Sequence, residues 1–161
     1  MSRIYSVPFY GTVTVAGADT DYVYLAPADD KPIKLRGFKI GNRTEVGDTM
    51  EEGLRISIIR LPATVTVGSG GSAPTPTPMD SADVAAGFTA RVNDTTVATT
   101  SGTAVTVEEF AWNNRNSPFE TWWPDSEFAP KVKQGEALVI RQQTTLADDM
   151  DAGWTAYVEE E

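Results

Sequence analysis

Short stretches in which apolar and polar residues alternate recur along this 161-residue chain, at 9–15, 22–25, 33–40, 54–61, 65–67, 88–92, 105–112, 137–142 and 154–158. A period of two puts every second side chain on the same face, which is the pattern of a half-buried β-strand and not of a helix. With turn residues between them and almost no helical periodicity, these segments predict an all-β antiparallel sandwich. Only DSADVAAG, 80–87, is expected to form a turn or two of helix, with Asp80 as N-cap and Gly87 as the stop.

Two of the segments change phase. Ile33 and Leu35 share one parity, Phe38 and Ile40 the other, so Gly37 is expected in a β-bulge; a similar slip falls at Ile58 and Ile59. Long strands bent by bulges suit a chain that passes around the corner of a sandwich, which favours a jelly roll over a flat immunoglobulin-like pair of sheets. The chain reads as one domain, 1–161, with an N-terminal arm over 1–8 and an extended surface loop over 68–79. The loop carries GSGGSAPTPTP: glycine and serine build no core, and each proline removes a donor and fixes φ, so it is expected as flexible chain leading into an extended arm.

Composition closes off several kinds of chemistry. There is no histidine and no cysteine. Ser-His-Asp and Cys-His arrangements are therefore impossible, disulfides are excluded, and the usual zinc and non-haem iron sites lack their main ligands. The net charge is −10 and the 13 basic residues are scattered, which disfavours nucleic acid as a partner. No apolar run reaches signal-peptide or membrane-span length, so neither export nor a membrane is expected, and the chain is expected to stay in the cytoplasm where it is made unless it leaves within an assembly.

Carboxylates remain. Glu108, Glu109, Glu120, Asp125 and Glu127 lie near Trp112, Trp122 and Trp123, the ingredients of a glycoside hydrolase, but an acidic chain offers such groupings by chance and solvated acids beside tryptophans are the expected outcome. Without acid catalysis, WNNRNSPFETWWP fits a subunit interface or, as the alternative, a carbohydrate-binding surface using Trp112, Trp122 and Trp123. Asp148, Asp149 and Asp151, or Asp19 and Asp21, do not match the spacing of a calcium loop, so neither a metal nor a cofactor is expected.

From about Leu54 onward the order RISIIRLP, GSGGSAPTPTP, DSADVAAGFTARVNDTTVAT, EEFAWN, PKVKQGEALVIR and AYVEE resembles small proteins encoded among the structural genes of tailed bacteriophages. The resemblance implies a capsid decoration, or cement, protein of jelly-roll type: not an enzyme, but a virion component sitting on the outer shell as a homotrimer, with the major capsid protein as partner. On that reading Arg3, Ile4, Tyr5, Phe9 and Tyr10 anchor the protein to the capsid, and Pro74, Pro76 and Pro78 carry the loop to a neighbour. Trp112, Trp122 and Trp123 then belong to the subunit interface; the alternative is a carbohydrate-binding module or a tail-associated receptor-binding protein that uses this tryptophan-rich loop.

Overall fold

The computed structural model describes residues 2–15, 19–43, 51–116 and 118–161; Met1 of the expected arm and Ser117 of the tryptophan tract lie outside them. The described residues form strands and no helix. In chain order the strands are β1 (Arg3–Val13), β2 (Thr20–Ala26), β3 (Ile33–Asn42), β4 (Gly53–Leu61), β5 (Val65–Thr66), β6 (Thr77–Pro78) and β7 (Thr89–Asp94). There follow β8 (Thr99–Thr100), β9 (Val105–Asn113), β10 (Phe119–Trp122), β11 (Lys131–Val132), β12 (Ala137–Gln142) and β13 (Met150–Glu160).

Two main antiparallel sheets are built from them, one in the order β10-β3-β13-β1-β6 with β11 also on β3, the other in the order β7-β2-β12-β4-β9, and β5 pairs with β8 in a separate two-stranded sheet. Setting aside the short strands and β7, the pairs nest: β1 with β13, β2 with β12, β3 with β10, and β4 with β9. Successive strands of this set change sheet at every connection but the one from β4 to β9. That is a long antiparallel ribbon rolled on itself, the jelly roll. Between the sheets, Tyr5, Val7, Tyr22, Leu25, Phe38, Ile56, Ile58, Ile140, Trp154 and Val158 are among the residues of the main core.

Both phase changes in the sequence coincide with irregularities of pairing. Tyr157 faces Gly37 while Val158 faces Leu35, so Arg36 is the extra residue and the bulge sits beside Gly37. Ile58 faces Glu108 and Ile59 faces Thr106, which puts the extra residue, Val107, on the partner strand β9. β4 itself alternates without a break: Ile56 and Ile58 join the main core while Ile59 and Leu61 face the other way, into a second cluster with Tyr24, Ala98, Ala137 and Val139, so the apparent slip in the sequence reflects burial on both faces.

The long connection from β4 to β9 makes that second cluster. It contains β5 to β8: β6 pairs with β1, β7 pairs with β2, and Val65 and Ala98 cover the outer face of the β7-to-β9 sheet. Asp21 anchors it there. Its carboxylate accepts from the Ala98 amide at 2.8 Å and from Arg141 Nε at 2.6 Å, while Arg141 also donates to the Ala98 carbonyl at 2.7 Å. At the other side the buried Glu160 carboxylate accepts from the amides of Gly87, at 2.8 Å, and Phe88, at 3.1 Å.

Three expectations are corrected here. The N-terminal arm is strand β1: Arg3 to Val13 pair with β13 throughout, and Tyr5 and Val7 are fully buried. Burial raises the Tyr5 phenol pKa, and its hydroxyl donates to the Val84 carbonyl. The 68–79 loop does not reach outward. Ser69 bridges to Thr96, Ser72 to Val92, Pro76 is buried, and Pro78 pairs with Tyr5. Its glycines serve close approach: a Cβ at Gly71 would collide with the Val92 carbonyl oxygen. Finally, 80–87 makes one turn, with the Asp83 amide on the Asp80 carbonyl at 3.0 Å and the Ala82 amide on the Asp80 side chain at 2.9 Å, and then runs extended.

At the C-terminal end, Lys131 and Lys34 both donate to the Glu161 carboxylate and hold its pKa below the usual value. A carboxyl lowered in the folded state adds stability above its unfolded pKa of ~4.3, and that contribution is lost as the pH falls through the lowered value. Glu161→Gln should therefore flatten the acid limb of a melting-temperature profile; an unchanged slope between neutral and strongly acidic pH would refute this.

Candidate functional site

The outer face of the β10-to-β6 sheet carries side chains that the core does not use. Its rows follow from strand register. Tyr10, Gly153 and Gly41 lie side by side; the next row is Pro8, Thr155, Lys39 and Glu120; the next is Ser6, Tyr157, Gly37 and Trp122. Pairing in antiparallel strands places such neighbours on a common face. Glycine at 153 and 41 leaves the first row as bare backbone, walled by the Tyr10 ring on one side and Pro118 on the other. In the third row Trp122 lies flat over Gly37, where a methyl group would overlap its ring.

Two open depressions of about 560 Å³ each result. The first is bordered by Pro8, Tyr10, Lys39, Pro118 and Thr155, the second by Ile4, Met79, Trp122, Pro124 and Tyr157. Tyr10 is 59% exposed, Met79 58% and Trp122 49%, so large apolar area faces outward. Trp122 is held in place: its ring lies 5.0 Å from that of Tyr157, and its indole N–H donates to Glu120 at 3.3 Å. Lys39 sits 5.6 Å over the Tyr157 ring and Arg43 5.0 Å over that of Tyr10, so cations top the aromatic row.

This face sorts the sequence-derived candidates. Ile4, Tyr10 and Trp122 come together on it. Tyr5 and Trp112 do not, being at most 3% exposed in the core; Trp123, 7% exposed, and Phe9, stacked on Trp154 at 4.2 Å, belong to the core and show only an edge to the second and first depressions. A sugar platform of three tryptophans is thereby reduced to Trp122. Arg3 is paired with Asp83 at 3.1 Å, and Pro74, Pro76 and Pro78 lie along the sandwich. Sequence reasoning missed Lys39, Met79 and Tyr157. For Tyr157 the signal existed, since its parity is opposite to that of Trp154 and Val158 within one strand.

Glu108 and Glu109 are consecutive on β9 and turn to different partners, Glu108 to the Trp123 indole at 3.3 Å and Glu109 to Arg55 and Ser57. Asp149 accepts from the Val15 amide, Asp151 from the Thr12 hydroxyl, and Asp21 is committed to Arg141, so these aspartates do not converge. Among the described residues no cluster of acids is arranged to hold a metal ion, and no helix is long and apolar enough to cross a membrane.

No protein-family model and no curated protein sequence matches the chain. Among solved structures it shows a slight likeness to infectious bursal disease virus, Gt strain, with a TM-score of 0.22 and 13% identity over 99% of this chain and 42% of that one. The VP2 subviral particle of the same virus gives a TM-score of 0.18 and 10% identity over 98% and 41% of the two chains. This chain thus spans about two-fifths of the length of those it is compared with. A superposition this loose transfers neither a role nor a residue.

Proposed function

We propose that the protein is a non-enzymatic virion structural protein that binds the outside of a tailed-phage capsid and stabilises it, as a homotrimer. The observation that carries this reading is the outer face just described: a broad, open surface with two apolar depressions and rigidly held aromatic rings, suited to lie on another protein surface. The resemblance of its order of sequence elements to that of phage structural proteins suggests the kind of partner. On this reading Tyr10 and Trp122 anchor the protein on the major capsid protein, taking the place of the arm expected from the sequence. Three copies around a local three-fold axis multiply weak contacts by avidity.

Co-sedimentation with undecorated capsids of the encoding phage tests it. Tyr10→Ala and Trp122→Ala should each weaken binding about 30-fold, the effect of losing a hot-spot residue worth ~2 kcal/mol. Both side chains are largely exposed, at 59% and 49%, so melting temperatures should stay close to wild type. Capsid binding that is indifferent to both substitutions would overturn the assignment of this face. Binding to a glycan array without binding to capsids would move the reading to carbohydrate recognition through Trp122.

A further inference from the structure

The sandwich ends differently on its two sides. Where β1 and β2 border the sheets, β6 and β7 pair with them. On the opposite side the strand order stops at β9 and at β10. β9 is the longer of these edges, at 9 residues, and its residues 105–109 are exposed on both faces of the sheet, with Val105 at 47% and Val107 at 38%. Among the described residues the backbone of 105–110 has no hydrogen-bonding neighbour except β4. An open edge of this kind presents a row of amides and carbonyls that another extended chain can satisfy.

The side chains around the edge say what sort of chain. Glu108 stands on β9, and the loop after Trp123, whose indole reaches Glu108, adds Asp125 and Glu127. Among the described residues none of these three has a lysine or arginine within ion-pair distance. Only Glu109 is paired, with Arg55. The wall between the two edges is closed by Phe110 stacked on Phe119 at 4.4 Å, so an incoming chain meets a strand edge and not a pocket.

We propose that the β9 edge takes up an extended segment of a partner protein in which apolar residues alternate with lysine or arginine, added as a further strand along 105–109. The unpaired backbone on either side of the bulge at Val107 takes up its amides and carbonyls, Val105 and Val107 pack against its apolar side chains, and the carboxylates select its charge. The β9 of a second copy brings the same carboxylates and is disfavoured by like charge. The proposal stands apart from capsid binding through the outer face, because β9 belongs to the other sheet.

A short peptide of alternating lysine and valine is the probe, titrated into the intact wild-type protein by calorimetry and followed by amide hydrogen exchange. The expected result is one peptide per chain and exchange slowed at least ~10-fold at 105–109. The same peptide carrying N-methyl groups on alternate amides keeps its charge but cannot pair along one edge, and it should not bind; Val107→Pro should likewise abolish binding of the parent peptide. Equal binding of the N-methylated peptide, protection elsewhere, or equal binding of a valine–glutamate peptide would overturn the proposal. So would concentration-dependent dimers with 105–109 protected, which would assign the edge to a second copy.

Discussion

Deleting residues 2–7 should unfold the protein or bring it close to unfolding, although these residues read as a terminal arm. The deletion removes half of β1 and its pairing with both β13 and β6. It also removes Tyr5 and Val7, both fully buried. At ~1.5–3 kcal/mol for each fully buried large side chain, these two alone are worth about 3–6 kcal/mol, against the ~5–15 kcal/mol by which a typical domain is stable. Tyr5→Ala by itself should cost ~3–5 kcal/mol, as large aromatic truncations in cores do. Urea unfolding measures both. A truncated protein that melts within a few degrees of wild type would show that 2–7 contribute little to the core.

Arg141→Met should destabilise the protein by ~3–5 kcal/mol, because it strands a buried carboxylate. Asp21 is 1% exposed and Arg141 11% at the side chain, and the two exchange hydrogen bonds with both backbone groups of Ala98. For a chain of this length the loss corresponds to a drop in melting temperature of roughly 10 °C. Adding Asp21→Leu should recover part of the loss, since the unpaired charge is gone, but not all of it: the Ala98 amide and carbonyl are left without these partners, at ~1–3 kcal/mol for each unsatisfied group. A double variant that is worse than Arg141→Met alone would contradict this account. The ion pair holds the β4-to-β9 connection on the sheet, so amide exchange around Ala98 should quicken in the single variant.

The strands were legible because their signal is local. Alternation marked most of β2, β3, β4, β9 and β12 within a residue or two, and the parity change at Gly37 marked a bulge that lies there. β1 was legible only from Phe9, with 1–8 read as an arm, although Pro8 would suit a strand with one free flank. In the fold β6 pairs with β1 only at Tyr5 and Ser6, so at Pro8 one flank is open and a missing N–H goes unnoticed. The helix expected at 80–87 fails for the converse reason. Its carbonyls and amides find better partners far away in sequence, the Val84 carbonyl on the Tyr5 hydroxyl and the Gly87 and Phe88 amides on Glu160.

The candidate face was legible only in part. Aromatic residues near the N-terminus and in the tryptophan tract stood out, yet sequence alone does not say which of two adjacent tryptophans turns inward. Register decides it: Trp122 falls opposite Gly37 on the outer face, and Trp123 goes into the core beside Glu108. What the sequence determined by itself is the all-β class, most strand positions and the exclusion of histidine and cysteine chemistry, since these follow from residue type and a spacing of two. Only the tertiary structure decided that the N-terminal segment is core and that the glycine- and proline-rich loop is pinned down. It also brought Ile4, Tyr10, Trp122 and Tyr157 onto one surface, because each of these rests on pairing between strands far apart in the chain, and no local pattern encodes that.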